Sequence, residues 1–150
     1  MKRLSVLALV AALLASGAVE AQILKPVTWS YGAKKTGPHE AILSFKATID
    51  EGWHVYSQHV KEGGPVPTKF TFTPSGGYVL DGATTEPEPI KRMEKVFNME
   101  VGFFTGSVIF QQKIKLKAGQ TTVAGQLEFM TCNDSQCLPP EDIDFSISVK

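Results

Sequence analysis

The sequence predicts an all-β fold, an immunoglobulin-like antiparallel β-sandwich, and three observations support this prediction. Apolar and polar residues alternate with period two in several segments, and turn-forming residues separate these segments at intervals of about ten residues. No window shows the apolar stripe and the caps of a helix. The chain has 150 residues, 43% of them hydrophobic and 20% charged, so we expect one domain with a packed core.

Three long segments alternate most clearly, and each predicts a strand with one buried face. They are residues 41–49, 108–116 and 143–149, the second of which has Gln112 as a polar interruption. Shorter β-rich segments predict further strands at 27–31, 53–57, 69–73, 78–80 and 122–129. Turns are predicted between them at 35–38, 62–67, 74–77, 86–89 and 118–119.

Residues 1–21 predict a secretory signal peptide that is cleaved near Ala21, which leaves a mature domain of residues 22–150. Lys2 and Arg3 precede an apolar run at 4–14, and small residues follow it. The apolar run is too short to cross a bilayer, and an uncleaved membrane anchor is the alternative. We expect no membrane span after signal removal and an oxidising compartment in which a disulfide persists.

Charge and composition argue against several classes of function. The 15 basic and 15 acidic residues balance, so no basic surface for nucleic acid is expected. The three histidines match no compact metal motif, and we expect no metal and no cofactor. Signatures of a serine nucleophile, a phosphate loop or a dinucleotide site are not found in the sequence.

The two cysteines predict a disulfide hairpin near the C-terminus. Four polar residues separate Cys132 from Cys137, and a double proline follows. A closed loop of about six residues stabilises a fold by roughly 2 kcal/mol, against about 4.7 kcal/mol for a loop of a hundred residues. From the residues alone, a redox-active pair and a structural turn clip are both open, and metal ligation is a third, weaker alternative.

The cysteine segment resembles a known family. The residues that carry the resemblance are Phe129-Met130-Thr131-Cys132, Cys137-Leu138-Pro139-Pro140-Glu141, Gly52-Trp53-His54-Val55-Tyr56 and Val96-Phe97-Asn98. Together they resemble the N-terminal periplasmic domain of the thiol:disulfide interchange protein DsbD. This resemblance implies a periplasmic immunoglobulin-like domain that acts as a protein-disulfide reductase or interchange component. A non-catalytic, protein-binding sandwich with a structural disulfide is the alternative from another class.

The resemblance also implies roles and partners for the cysteine pair. Cys137 forms the mixed disulfide with a partner, and Cys132 resolves it. The partners are exported thiol-disulfide oxidoreductases and a membrane or thioredoxin-like electron donor. The best-known family members have one more residue between their cysteines, and the chain ends at Lys150. As a stand-alone exported domain, it is therefore expected to find its donor and acceptor in separate proteins.

By the same resemblance, segment 92–99 corresponds to a flexible cap loop. Phe97 is the lid, flanked by Val96 and Asn98, and its ring excludes unwanted thiols from the sulfurs. The alternative is that Phe97 is a core residue of an ordinary strand.

Tyr56 and His54 are candidates for the wall of the site. Alternation places both on one face, opposite Trp53 and Val55. The Tyr56 hydroxyl, or a protonated His54, is expected to stabilise a thiolate. For His54, however, a solvent-facing polar position is the favoured interpretation. The nearest carboxylates in the sequence, Asp134 and Glu141, would oppose thiolate formation if close, or supply a proton when protonated.

Overall fold

The structure is a computed structural model that describes residues 23–150. The predicted signal peptide and its cleavage site near Ala21 lie outside the described residues. Within 23–150 the chain forms eleven strands, and no helix that could cross a membrane is found there. The strands are β1 (Val27–Gly37), β2 (Glu40–Ile49), β3 (His54–Tyr56), β4 (Lys69–Phe72), β5 (Tyr78–Leu80), β6 (Ile90–Glu94), β7 (Met99–Phe104), β8 (Ser107–Leu116), β9 (Thr121–Phe129), β10 (Thr131–Cys132) and β11 (Glu141–Val149).

The strands form three antiparallel sheets, in the orders β1-β2-β8-β5, β11-β9-β4 and β10-β3-β7-β6. The predicted all-β antiparallel architecture is confirmed, and the described residues form a third sheet in addition to the two that share the main core. The chain changes partners at Met130, and this change adds β10 to the edge of the third sheet. Before this residue β9 pairs with β4 and β11, and after it β10 pairs with β3.

The main core lies where the first sheet packs against β4, β9 and β11. Every second residue of β2 from Ala41 to Ile49 is buried, as the alternation predicts. The buried row of β8 includes the polar Gln112, which is 1% exposed. Its Nε2 donates to the Gly82 carbonyl oxygen at 3.0 Å, and its Oε1 accepts from Thr84 Oγ1 at 2.8 Å. Because the amide is hydrogen-bonded, the core tolerates this interruption.

Two predicted boundaries differ from the structure. The turn expected at 35–38 is part of β1, which runs to Gly37 and pairs there with Glu40 of β2. Segment 92–99, expected as a loop, is a β-hairpin in which β6 and β7 flank a turn at 95–98. The sequence did not predict β6 or β7, and these strands form half of the third sheet.

Candidate functional site

The cysteine hairpin brings Cys132 and Cys137 into a disulfide, with their α-carbons 4.0 Å apart. Leu138 N donates to the Thr131 carbonyl oxygen at 3.0 Å, and Asn133 N donates to that of Gln136 at 2.9 Å. The cysteines therefore form the intervening non-hydrogen-bonded pair, where facing residues of antiparallel strands come closest. The predicted hairpin disulfide is present.

The turn between the cysteines is organised by the Asn133 side chain. Its Oδ1 accepts hydrogen bonds from the backbone nitrogens of Ser135 and Gln136, both at 2.8 Å. An asparagine that bonds the backbone two residues ahead is typical of a tight turn. The turn is therefore held by hydrogen bonds of its own in addition to the disulfide.

The two cysteines differ sharply in their exposure. Cys132 is 2% exposed and packs in a small cluster with Tyr56, Val101 and Phe103. Cys137 is exposed. An external thiolate reaches Cys137 more easily than Cys132, and access is one of the factors that decide which sulfur is attacked.

A cavity of about 550 Å³ lies between the cysteine hairpin and the β6–β7 hairpin. Both cysteines, Tyr56 and the turn at 95–98 contribute to its wall. Phe97 is partly buried and belongs to this turn, so the alternative that it is a core residue of a strand is not what the structure shows. Val96 is 86% exposed.

Asn98 closes the turn with a φ of 50°, in the left-handed region. Asparagine adopts this conformation more readily than most residues with a β-carbon. Asn98 thus has a local structural reason for its position in the turn at 95–98.

His54 and Tyr56 share one face of β3, as predicted, while Val55 and the preceding Trp53 pack against the main core. The expectation of a solvent-facing His54 is wrong, because only 4% of the residue is exposed. The reason is that β3 lies between β10 and β7, within the third sheet. The His54 Nε2 and the Tyr56 Oη form a hydrogen bond of 3.2 Å.

Charged side chains from two elements surround this pair. Arg92 Nη2 lies 2.6 Å from Glu94 Oε1, which in turn lies 4.0 Å from His54 Nε2. Arg92 also reaches the cysteine hairpin, with Nη1 3.8 Å from Asp134 Oδ1, and its guanidinium stands 4.7 Å from the centre of the Phe103 ring. Arg92 therefore contacts both walls of the cavity.

Burial dominates the ionisation of the paired residues. It lowers the pKa of His54 below its usual 6.5, and Arg92 adds to this effect while Glu94 and Asp134 oppose it. Burial, aided by Glu94 and opposed by Arg92, raises the pKa of Tyr56 to about 12. At neutral pH His54 is neutral and Tyr56 is protonated, so the expectation of a protonated His54 is not supported.

The carboxylates at the site differ in part from those expected. Asp134 lines the cavity, as expected from its place in the turn. Glu141 instead begins β11, opposite Phe129, and does not line the cavity. Glu94 and Arg92 are the charged residues that sequence reasoning missed. Their positions two residues apart, on one face of β6, were the available signal. The strand could not be recognised from the sequence because it is an edge strand that is largely exposed and has no row of buried apolar residues.

This arrangement supplies the parts that disulfide exchange requires. Cys137 is an exposed residue, Cys132 is a buried one, and the protonated hydroxyl of Tyr56 belongs to the same cavity. Within residues 23–150 no group of three His, Cys, Asp or Glu side chains is arranged to hold a metal ion.

Comparison with known families agrees with the chemistry of this site. Residues 20–148 match the family described as thiol:disulfide interchange protein DsbD, N-terminal. The chain belongs to the family of DsbD N-terminal domains. The predicted family and the immunoglobulin-like fold are thereby confirmed. Membership of the DsbD N-terminal family and the cysteine pair together support thiol-disulfide exchange as the general activity.

Solved structures give the same fold. The reduced DsbD N-terminal domain from Neisseria meningitidis has a TM-score of 0.56 at 16% identity, over 84% of this chain and 90% of that chain. The N-terminal periplasmic domain of ScsB from Proteus mirabilis has a TM-score of 0.54 at 17% identity, over 85% of this chain and 49% of that chain.

A third structure is the complex between the DsbD N-terminal and PilB N-terminal domains from Neisseria meningitidis. Its TM-score is 0.55 at 13% identity, over 83% of this chain and 87% of that chain. At such identities the likeness concerns the fold alone. No curated protein matches the chain in sequence.

Proposed function

We propose that this domain passes reducing equivalents to exported thiol-disulfide oxidoreductases through the Cys132/Cys137 pair. The observation that carries the proposal is the contrast between an exposed Cys137 and a Cys132 that is 2% exposed. A structural clip needs no such asymmetry, whereas an exchange site needs one sulfur that a partner can reach and one that is held in reserve.

The reaction starts from the reduced pair. The Cys137 thiolate attacks a partner disulfide, a mixed disulfide forms, and one partner sulfur leaves as a thiolate. The Cys132 thiolate then attacks Cys137 Sγ, the mixed disulfide breaks, and the second partner sulfur leaves. Two electrons have passed to the partner, and the domain holds the disulfide seen in the structure.

A donor dithiol regenerates the reduced pair by the reverse sequence. Its thiolate attacks the exposed Cys137, and Cys132 leaves as the buried thiolate. We propose a membrane or thioredoxin-like protein as this donor. A DsbD N-terminal domain of Neisseria meningitidis forms a complex with the PilB N-terminal domain, which supports a protein partner for this chain.

In this proposal the β6–β7 hairpin is a cap that controls access to the disulfide. Phe97 lies in the turn that faces the disulfide, beside Val96 and Asn98, and all three belong to the segment 95–98. A partner protein displaces this turn when it approaches Cys137. Small thiols do not displace it, and the Phe97 ring keeps them away from the disulfide. Tyr56 forms the wall beside Cys132, and His54, which does not line the cavity itself, is hydrogen-bonded to the Tyr56 hydroxyl.

The proposed compartment is the periplasm. A predicted signal peptide over 1–21 and a disulfide between the two cysteines of the chain support it, since structural and redox disulfides persist outside the reducing cytosol. The related ScsB domain is itself described as periplasmic.

Trapping experiments test the assignment of the two cysteines. Reduced Cys132→Ser is mixed with an oxidised thioredoxin-like oxidoreductase, and mixed disulfides are counted on non-reducing gels. We expect this variant to accumulate them, because Cys137 attacks and nothing resolves the product. Cys137→Ser is the matched control and is expected to trap little.

The reduction potential of the pair separates exchange from a structural clip. It is measured by equilibration with glutathione redox buffers. An exchange pair is expected well above about −300 mV, within the range of disulfide oxidoreductases. A potential below that value, with equal trapping by both single variants, would favour the protein-binding sandwich with a structural disulfide.

A further inference from the structure

The proposed exchange reaction leaves one step without a proton acceptor. Before Cys132 resolves the mixed disulfide, its thiol must lose a proton, because the thiolate is the nucleophile. Cys132 is 2% exposed, so bulk water does not readily take this proton. A basic group beside Cys132 would serve as the acceptor of this proton.

His54 occupies the position directly opposite Cys132. The two residues are paired across β3 and β10, with Cys132 facing His54 in the register. Directly opposed residues of antiparallel strands project to the same face, with β-carbons about 4.5–5.5 Å apart. Both residues are buried, at 4% and 2% exposure.

Tyr56 connects this base to the cavity. Its side chain lines the cavity together with both cysteines, and its Oη lies 3.2 Å from His54 Nε2. In the neutral tautomer that carries its proton on Nδ1, Nε2 accepts a hydrogen bond from the Tyr56 hydroxyl. A hydroxyl both donates and accepts, so it can pass a proton without becoming ionised.

We propose that Tyr56 and His54 form a proton relay that activates Cys132 in the resolving step. The proton of the Cys132 thiol moves to Tyr56 Oη while the Tyr56 proton moves to His54 Nε2. The Cys132 thiolate then attacks Cys137 Sγ, a new Cys132–Cys137 bond forms, and the partner sulfur leaves with the electron pair of the broken bond. The imidazolium then releases its proton to solvent and returns to its neutral resting state. When a donor later opens the disulfide, a proton from solvent reaches the Cys132 thiolate by the reverse route, through His54 and Tyr56.

The surrounding charges fit a base that is neutral before the step and charged after it. Arg92 on β6 and burial keep the resting imidazole neutral and available. Glu94, 4.0 Å from Nε2, and Asp134 on the cysteine hairpin stabilise the imidazolium once the proton arrives. The remaining titratable group in contact with His54 is Tyr56. Its pKa of about 12 keeps the hydroxyl protonated before the step.

The relay rests on the proposed function. A reaction with two phases tests the attack of Cys137 and the resolution by Cys132 separately. The reduced wild-type protein is mixed with dithiobis-nitrobenzoate, and the release of thionitrobenzoate is followed by stopped-flow absorbance. The first equivalent reports the attack of Cys137, and its rate depends on reagent concentration. The second equivalent reports resolution by Cys132 and is independent of concentration.

We expect the wild-type resolution rate to be constant above the pKa of His54, which lies below 6.5, and to fall below it. His54→Gln and Tyr56→Phe should both slow resolution by about 10²-fold at pH 7, a typical contribution of a general base. Their rates should rise about tenfold per pH unit, because only the free thiolate then reacts. The first phase should be unchanged in both variants.

His39→Gln and His59→Gln are the matched controls, since both residues are exposed and lie away from the cavity. A plateau that survives in His54→Gln or in Tyr56→Phe would overturn the relay. If neither variant folds, a wild-type resolution rate that rises steadily with pH overturns it instead. Loss of the first phase in the wild type contradicts the proposed function itself, since Cys137 would then not attack.

Discussion

Two buried regions lie side by side in this domain and share two strands. In the main core, rings such as Phe45, Phe70 and Phe110 pack at centroid distances of 4.7 to 5.3 Å. The site cluster around Cys132 and Tyr56 is smaller and borders His54, Arg92 and Glu94.

Alternation along the shared strands divides the two regions. Val55 and Phe104 face the main core, whereas their neighbours Tyr56 and Phe103 belong to the site cluster. Adjacent residues of one strand therefore pack into the main core on one face and into the candidate site on the other. Substitutions on the two faces should have separable effects.

Phe110→Ala should produce the largest effect, and it should act on stability alone. Phe110 is 0% exposed and packs against Trp29, Phe70 and Phe104. The resulting cavity should lower the free energy of unfolding by about 3–5 kcal/mol, measured by urea denaturation. The exchange rate of the remaining folded protein should not change. A slower exchange rate in conditions where the variant is fully folded would break the separation of the two regions.

Phe97→Ala should show the opposite behaviour. The ring lies in the cap turn beside the cavity, so its loss should open the disulfide to small thiols with little change in stability. We expect reduction of the oxidised domain by glutathione to be about tenfold faster, equivalent to about 1.4 kcal/mol of activation free energy. Val96→Ala is the control, because Val96 is already 86% exposed. Equal rates in the two variants would argue against a lid.

Substitutions of Asn98 test whether the turn at 95–98 depends on a left-handed residue. Because its φ is 50°, Asn98→Ala should cost about 1 kcal/mol of stability, whereas Asn98→Gly should be nearly neutral. Thermal unfolding of the two variants gives the comparison directly. If alanine and glycine were equivalent here, the turn would not depend on the left-handed residue.

The smallest effect should be a pH dependence of the free energy of unfolding that originates from His54 beside the site cluster. The pKa of His54 is lower in the folded chain than the usual 6.5, so the unfolded chain binds more protons between these two values. The contribution of His54 to the free energy of unfolding is therefore fully present above about pH 6.5, and it is lost as the pH falls through the pKa of the folded state. Denaturation curves at several pH values should show this slope in the wild type, and His54→Gln should lack it. An unchanged slope in the variant would assign the effect to another group.

The sequence was sufficient where a strand has one buried and one exposed face. The alternation in 41–49 located β2 and its buried row, because each side chain there meets either the core or solvent. It was insufficient for β6, whose residues are mostly exposed, and for β7, where the adjacent Phe103 and Phe104 are both buried. In such strands the pattern depends on which neighbours cover the sheet.

The site was predictable to a similar extent. The short spacing of Cys132 and Cys137 was enough to predict their disulfide hairpin. The burial of His54 was not predictable, since it depends on β10 and β7, which flank β3. The contact between Arg92 and Asp134 joins two hairpins that are distant in the sequence, and local patterns carry no information about such contacts.

The hydrogen bonds of Asn133 have a consequence for the lifetime of a mixed disulfide in the proposed exchange reaction. They hold the turn through the Ser135 and Gln136 nitrogens without help from either sulfur, so the turn should keep its shape when the cysteine bond opens. The effective concentration of Cys132 at Cys137 then stays high, and resolution is an intramolecular reaction of a preorganised pair. In the proposed exchange reaction, a partner should consequently be released soon after it is captured.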